Sequence, residues 1–356
     1  MRLPVSPRFA LLKAMVRCGL FIGCLAAVLG FRAQATLAEA SGRPVRIVTF
    51  NAEILTAPHI RAGQIQRFRF EAARRDHIER VAGIIEALRP DVLNLVEVTS
   101  REAVEMIVEI LHEKGLDDYR GYHVESNDRF SGMDVAVITR FEPDPVDGQS
   151  IRTFFSKEGD ATWREKFTFV GRRGDTLDRE CSLGRNALYF ITIDEFKLGF
   201  FGLHLKSNPE DNYANARRVA EVKIASKVMR EKIIARGYLP IVLGDLNDYD
   251  PDVPDRDDSR TTVTTAIRDL KDFDSGRDGP ELVNVAERIV REKDRYTSHW
   301  DRNENGAGDS DDVYTMLDHI LLPKELMPYV ERVFIARVLD LSTSDHFPVV
   351  VDLRLP

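Results

Sequence analysis

Apolar, strand-like runs of this chain end repeatedly on carboxylate, amide or imidazole side chains. The clearest example is the run PIVLGDLNDYD at residues 240–250, in which apolar residues lead into Asp245 and Asn247. The same pattern gives a further set of polar strand ends: Asn51, Glu53, Glu97, His204, Asp318, Asp345 and His346. Strand ends meet at the rim of a sheet, where loops hold functional groups on a rigid scaffold. The pattern therefore predicts that these side chains share one site.

Strand patterns and helix patterns both occur along the chain, but they do not alternate strictly. The periodicity of residues 71–88 and 210–236 predicts helices, and residues 187–207 predict a strand pair with a turn near 195–197. Residues 141–184, with Pro, Gly and mixed charge, are expected to form loops or an insertion. Several strands look hairpin-connected, which favours a mixed, largely antiparallel α/β sandwich over a doubly wound parallel sheet.

The first forty residues have the composition of a secretory signal. A basic stretch precedes the apolar run CGLFIGCLAAVLGF, which is too short for a comfortable membrane span. We therefore expect residues 1–40 to be a signal peptide, cleaved after Ala35 or Ala40, and residues 41–356 to form the folded domain. A retained membrane anchor and a lipid anchor on Cys24 are the alternatives.

Charge and cysteine content limit what the chain can do. The formal net charge is −8, and removal of the basic leader makes it more negative. Long-range attraction to nucleic acid is therefore absent, and any bound polyanion must be held by local positive charge, including a bound cation. Cys181 alone remains after loss of Cys18 and Cys24, so an intrachain disulfide is impossible and nucleophilic cysteine chemistry is not expected.

Carboxylates gathered at one rim would repel each other in the absence of a cation. A hard divalent ion such as Mg²⁺ is the natural counter-charge, because it prefers oxygen ligands and keeps several waters. The acidic strand ends are therefore predicted to hold a metal and a phosphate.

The motifs TFNAEIL, PDVLNLVEV, GLHLKS, IVLGDLNDY, LDHILL and SDHFPV resemble, in order, those of the endonuclease/exonuclease/phosphatase superfamily. That superfamily includes pancreatic deoxyribonuclease, abasic-site endonucleases, neutral sphingomyelinases and inositol polyphosphate 5-phosphatases. The resemblance covers residues 45–354, and GDLND followed later by SDH is its most specific part. It implies a secreted, deoxyribonuclease-like member with a four-layer fold, in which helices flank two packed, mixed and largely antiparallel sheets.

The resemblance also implies how the metal and the attacking water are held. Glu97 would be the main metal ligand, helped by Glu53 or Asp345, with Mg²⁺ or Mn²⁺ as the ion. Asp245 would position or deprotonate the attacking water.

Phosphate binding and proton transfer are assigned by the same resemblance. Asn51 would orient the cluster or bind phosphate, and Asn247 would hydrogen-bond a phosphate oxygen. His204 would contact the phosphate as a cation or as a donor. Asp318 would pair with His346 and fix its tautomer, so that His346 acts in proton transfer or in binding the transition state.

The segment DRNENGAGDSDD at 301–312 matches the ligand spacing of a Ca²⁺ loop. Its candidate ligands are Asp301, Asn303, Asn305 and Asp312. It departs from the EF-hand pattern at its last position, and its flanks resemble strands rather than helices. A polar hairpin loop is therefore the favoured interpretation, with Ca²⁺ as a possible second cofactor.

Arginines outside the motifs allow two interpretations. Those of residues 61–80 could grip phosphates of a long substrate or pair with acids on a helix surface. Arg217 and Arg218 are interpreted as a solvated helix face. Arg185, just before a strand, is a candidate secondary phosphate contact.

These features predict a metal-dependent phosphodiester hydrolase, most directly an extracellular or periplasmic nuclease that acts as a monomer on nucleic acid. A sphingomyelinase-like phospholipase C or a phosphomonoesterase would use the same chemistry. Neither Trp163 nor Trp300 lies in an apolar loop that could enter a bilayer, and we expect no stable membrane insertion after signal cleavage. A non-catalytic binding module is the third hypothesis.

Overall fold

The structure is a computed structural model that describes residues 42–157, 159–257, 264–274, 276, 281–306, 308–337 and 342–356. The expected signal peptide, residues 1–40, lies outside these residues and stays a prediction. Within the described ranges, no helix combines the length and the apolar character that a membrane crossing requires.

The helices and strands follow each other along the chain without strict alternation. In order they are β1 (Arg43–Leu55), α1 (Glu71–Leu88), β2 (Val92–Val98), α2 (Arg101–Glu113), β3 (Arg120–Val124), β4 (Asp134–Thr139), β5 (Ile151–Arg152), β6 (Arg164–Val170), β7 (Thr176–Ser182), β8 (Arg185–Ile193), β9 (Phe196–His204), α3 (Asn212–Val228), β10 (Leu239–Asp245), α4 (Ala266–Lys271), β11 (Leu282–Asn284), β12 (Ser298–Trp300), β13 (Val313–Thr315), β14 (Asp318–Pro323), β15 (Val330–Ile335) and β16 (Val349–Leu355).

Two six-stranded sheets form the centre of the fold. Their strand orders are β15-β16-β1-β2-β4-β3 and β11-β14-β10-β9-β8-β5. As far as the structure describes them, β1 with β2 and β9 with β10 are parallel, and the other neighbours are antiparallel. The prediction of mixed, largely antiparallel sheets is confirmed.

Helices cover the outer face of each sheet. In the first sheet, Phe50 and Leu95 pack with Ile78 of α1 and Ile107 of α2. In the second sheet, outward side chains of β9 and β10 pack with α3 and α4 in a separate apolar cluster. Side chains alternate between the two faces of a strand, so each sheet has a second apolar face to bury.

The two inner faces bury each other. Ile47 and Val351 of the first sheet share a cluster with Phe200 and Ile241 of the second, all of them inaccessible to solvent. The order is therefore helix, sheet, sheet, helix, which is the predicted four-layer arrangement. Full burial of each such side chain contributes about 1.5–3 kcal/mol to folding.

One rim of the second sheet collects polar side chains from three neighbouring strands. β9 ends at His204 and β10 at Asp245, and these residues are opposite each other in a parallel pair. Asp318 begins the antiparallel β14 and is opposite Asp245. In the first sheet, β1 and β2 also run in parallel, with Asn51 opposite Val96. The strand register therefore places the predicted site residues at the ends of the strands.

The strand pair predicted for residues 187–207 is confirmed as β8 and β9. The loop interpretation of residues 141–184 is wrong, because this segment contains β5 and the hairpin of β6 and β7. Charged side chains on the exposed face of the hairpin hid its pattern, while Phe167 packs against the Tyr213 ring of α3 at 5.6 Å between ring centroids. Cys181 of β7 is buried, and burial raises the pKa of its thiol to about 12, which agrees with the absence of a nucleophilic role.

Candidate active site

Both strands of the first sheet that reach the rim are irregular there. The pairing of β1 shifts register before Leu55, and that of β2 shifts between Val96 and Val98. Glu53 (φ 49°) and Glu97 (φ 62°) adopt left-handed backbone conformations. Such conformations cost of order 1–3 kcal/mol each and persist where the surrounding structure enforces them. Here they accompany bulges that redirect the two carboxylates.

The amide of Asn51 connects carboxylates of the two sheets. Its Nδ2 donates to Glu97 Oε1 and to Asp245 Oδ2, at 3.1 Å in both cases. The backbone N–H of Ile54 donates to the other Glu97 oxygen at 3.1 Å. These contacts hold Glu97 and Asp245 at one place although they belong to different sheets.

His204 lies beside the same two carboxylates. Its Nε2 is 3.7 Å from Glu97 Oε1 and 3.6 Å from Asp245 Oδ2, and the residue is buried. Burial, followed by the positive charges of Arg185 and His346, lowers the pKa of His204 well below its usual value. The neutral imidazole is therefore the form that this site favours, as a donor or a metal ligand rather than as a cation.

Burial makes the charged forms of the carboxyl groups in this site unfavourable. Burial, and then the nearby charge of Asp318, raise the pKa of Asp245 to about 7. Burial also raises the pKa of Glu97, although the hydrogen bond from Asn51 opposes the shift. A divalent cation would relieve both shifts, because it stabilises the charged form. Ligand atoms of Glu97, His204 and Asp245 all lie within 4.8 Å of each other, so this oxygen and nitrogen set fits a metal ion.

Asp318 and His346 form a second buried group that also includes Asp245. Asp318 Oδ2 and His346 Nδ1 are 2.6 Å apart. Burial alone would lower the pKa of His346, but the charge and hydrogen bond of Asp318 raise it well above its usual value. The Thr297 hydroxyl accepts the backbone N–H of Asp318 at 2.9 Å, while Asp318 Oδ1 is buried with no described hydrogen-bond partner. The pair therefore presents a charged imidazole beside Asp245.

Asn247 is fixed next to the same carboxylate. Its backbone N–H donates to Asp245 Oδ1 at 3.0 Å, and its side-chain amide donates to Leu205 O at 3.3 Å. Its backbone has φ 50°. The structure thus brings together the predicted site residues of both sheets: Asn51, Glu97, His204, Asp245, Asn247, Asp318 and His346.

Glu53 and Asp345 lie at the edge of this group. Glu53 Oε2 accepts the backbone N–H of Asp345 at 3.0 Å and is 2.9 Å from Arg67 Nη2. Burial, and then the charge of Asp345, raise the pKa of Glu53 to about 8. The Asp345 side chain is 51% exposed, and neither residue belongs to the compact groups described above.

The Ca²⁺ loop hypothesis gains little from the structure. The Asp301 carboxylate accepts the backbone N–H groups of Asn305 and Gly306 within the turn. Asn303 donates its amide to Asp309, and the buried Asp312 carboxylate is 2.7 Å from His299 Nε2. The four predicted ligands therefore serve the hairpin between β12 and β13, as the favoured interpretation expected. Within this loop, Asp309, Asp311 and Asp312 have carboxylate oxygens that lie within 4.8 Å of one another.

The profile of the Endonuclease/Exonuclease/phosphatase family matches residues 49–346. The chain belongs to this family. No curated protein sequence matches the chain. Membership makes the chain a hydrolase that acts on phosphate ester bonds, in a family that depends on divalent metals.

Solved structures with the same fold have low sequence identity to this chain. Truncated TDP2 from Caenorhabditis elegans is 17% identical with a TM-score of 0.52, over 87% of this chain and 98% of that one. An Endonuclease/Exonuclease/phosphatase family protein from Leptotrichia buccalis is 16% identical, with a TM-score of 0.52 over 87% and 100%. A 3′-5′ exonuclease from Neisseria meningitidis is 16% identical, with a TM-score of 0.51 over the same shares. These likenesses show the fold alone.

The interpretation of Arg218 as part of a solvated face is wrong. Its side chain is fully buried and its Nε is 3.4 Å from the Asp248 carboxylate. Its Nη1 donates to Lys206 O at 2.8 Å and to Asn208 O at 3.4 Å. Arg218 therefore joins the loop after β9 to the loop after β10. These two strands end at His204 and Asp245. In the sequence, the position of Arg218 among apolar residues of α3 was the available signal for its burial.

Part of the arginine-rich segment also has a structural role that neither interpretation covered. Arg74 is buried and donates to Ile60 O at 2.7 Å and to Phe68 O at 3.0 Å. Arg75 is exposed and pairs with Glu79 at 3.1 Å, as the helix-surface interpretation expected. Arg74 thus holds the loop between β1 and α1 in place.

We predict that Arg218→Met lowers the free energy of unfolding by about 3–5 kcal/mol, because it leaves the buried Asp248 carboxylate without its counter-charge. Urea-induced unfolding followed by circular dichroism measures the change. The matched control is Arg75→Met, which removes an exposed helical ion pair and should cost less than about 0.5 kcal/mol. Similar losses in the two variants would contradict the prediction.

The site should also make metal-free stability depend on pH. Between pH 6.5 and 8.5 the folded protein retains protons on Glu53 and His346 that the unfolded chain has released, because both pKa values are raised. The free energy of unfolding in EDTA should therefore fall as pH rises through this window. Urea titrations at several pH values measure the slope.

Glu53→Gln should flatten that slope, since it removes one of the titrating groups. Glu105→Gln, a change on the exposed face of α2, is the matched control and should keep the wild-type slope. A slope that is the same in all three proteins would show that Glu53 does not titrate in this range.

Proposed function

We propose that the chain is a divalent-metal-dependent phosphodiesterase that cleaves nucleic acid. The observation that carries the proposal is the shared position of Asp245, which belongs both to the group with Glu97 and His204 and to the group with Asp318 and His346. One group can hold a cation and the other can move a proton. Hydrolysis of a phosphodiester needs both at the same phosphorus.

Glu97, His204 and Asp245 would hold the ion, with Mg²⁺ or Mn²⁺ as the proposed metal. When bound, the ion would neutralise charge on the non-bridging phosphate oxygens. Glu53 and Asp345 would support it from the edge of the site, where burial and then the charge of Asp345 raise the pKa of Glu53. Ca²⁺ is a weaker proposal, confined to the loop at 301–312.

The remaining groups would act on the water and the phosphate. Asp245 would orient the attacking water and accept its proton. Asn51 and Asn247 would donate to phosphate oxygens. His346, held by Asp318 through Nδ1, would present Nε2–H to the phosphate or to the departing oxygen.

Nucleic acid is the proposed substrate because relatives by fold include a protein described as a 3′-5′ exonuclease. The experiment compares plasmid DNA, RNA, sphingomyelin vesicles and inositol phosphates, each with Mg²⁺, Mn²⁺ or EDTA. Cleavage of DNA or RNA that stops in EDTA supports the proposal. Release of phosphocholine from sphingomyelin without cleavage of polynucleotide would favour the lipid alternative.

We predict that Asp245→Asn and His346→Gln each lower kcat on the cleaved polynucleotide about 10²–10⁴-fold, because each removes a group that transfers a proton. Steady-state kinetics in Mg²⁺ measures the loss. His59→Gln changes a largely exposed histidine that pairs with Glu71 and serves as the matched control. Full kcat in both site variants would show that neither Asp245 nor His346 transfers a proton in the reaction.

We also propose that the chain is exported, on the strength of its N-terminal composition. The mature protein should begin at Thr36 or Ser41, and N-terminal sequencing of protein recovered from the periplasm or the medium measures this. Recovery of the intact leader in the membrane fraction would indicate a retained anchor instead.

A further inference from the structure

Basic side chains gather where β8 begins and β9 ends. Arg185 is directly opposite His204 in the antiparallel pair of these strands. Its Nη2 donates to Leu205 O at 3.0 Å, and its side chain is only 12% exposed. Lys206 follows two positions after His204. Two cations therefore lie immediately beside the candidate active site.

A third cation reaches the same place from α3. Arg217 lies against Gly184, since a Cβ atom there would be 3.8 Å from Arg217 Nη2. Glu221 accepts from Arg217 Nε through one oxygen and from the Lys206 backbone N–H through the other, at 2.9 Å each. One carboxylate thus fixes the positions of Arg217 and of the Lys206 backbone, but both of its oxygens are already engaged.

The ammonium group of Lys206 is not paired directly with a carboxylate among the described residues. Among the described residues it contacts the Ser207 hydroxyl at 3.3 Å and forms no ion pair. Arg185 forms a long ion pair with Asp128, with 3.7 Å between Arg185 Nε and the Asp128 carboxylate. An anion bound between these side chains would relieve their repulsion.

We propose that Arg185, Lys206 and Arg217 form a subsite for the phosphate next to the scissile phosphate of a polynucleotide. The inference rests on the proposed function and names its substrate class. The scissile phosphate belongs at Asp245 and His346, whereas Lys206 lies beyond the end of β9.

A polynucleotide carries an anionic phosphate on every nucleotide, so a second phosphate is always present to occupy the subsite. Sphingomyelin has one phosphate, and its choline group is a cation that three basic side chains would repel. The local positive charge also supplies what the acidic chain, with a net charge of −8, cannot provide at long range.

The test uses the full protein and a fluorescein-labelled oligothymidylate, with binding followed by anisotropy in EDTA over a series of KCl concentrations. Lys206→Gln should weaken binding about 5–10-fold at low salt. The slope of log K against log[KCl] should fall by about 0.7, the value for one phosphate contact on a single strand. Lys206→Arg keeps the charge and should restore the slope. Lys166→Gln, on the exposed face of β6, should leave it unchanged.

Kinetics in Mg²⁺ separates this subsite from the reaction centre. Lys206→Gln should raise KM for the oligonucleotide about tenfold more than KM for bis(4-nitrophenyl) phosphate, which carries a single phosphate. Equal effects on both substrates would place Lys206 at the scissile phosphate and overturn the subsite.

The two proposals fail in different ways. A wild-type salt slope in Lys206→Gln, with polynucleotide still cleaved by the wild type, overturns the subsite alone. A Lys206-dependent slope in a protein that cleaves no polynucleotide overturns the proposed function alone. An oligothymidylate that neither binds nor is cleaved overturns both.

Discussion

The side chain and backbone of Asn51 connect the parts of the rim from which the candidate site is built. Its amide donates to Glu97 on its own sheet and to Asp245 on the other sheet. Its Oδ1 accepts the backbone N–H of Glu53 at 2.9 Å, and its backbone oxygen accepts the Ser344 hydroxyl at 2.8 Å. One residue thus fixes β1, β2, β10 and the loop before β16 relative to each other, so the positions of the acidic groups depend on it.

That arrangement creates an electrostatic cost which the rest of the rim partly offsets. Glu97 and Asp245 are buried, and their raised pKa values show that neither carboxylate is well stabilised by the protein alone. Arg67 compensates Glu53 at one edge, and Arg185 contributes positive charge near Glu97 at the other. In the centre, the His346 imidazolium is already paired with Asp318, so Glu97 and Asp245 keep negative charge that a bound divalent cation would neutralise.

The strand ends could be predicted from the sequence because a polar residue at the end of an apolar run reaches the rim in almost any packing of the sheets. The partners of those residues could not be predicted from the sequence. Ser344 contacts Asn51 across 293 positions of sequence, and Thr297 supports Asp318 through its hydroxyl. Arg218 was interpreted as solvated together with its charged neighbour Arg217, and only the tertiary packing shows that Arg218 is buried and joins two loops. The hairpin of β6 and β7 was missed because the charged runs at residues 164–166 and 178–180 interrupt the alternation expected of a strand.

In the proposed function, reaction chemistry and substrate choice depend on different parts of this fold. The chemical groups stand on strand ends whose places are set by register, and the fold is shared with structures that are only 16–17% identical to this chain. The proposed basic subsite instead depends on α3, which covers the outer face of the second sheet, and on Arg185, the first residue of β8, which is opposite His204. If the proposed subsite binds a phosphate, a change there would alter which phosphate ester is held without moving Asp245 or His346. Selection among polynucleotides, lipids and small phosphate esters is therefore expected to follow the cations around the centre rather than the centre itself.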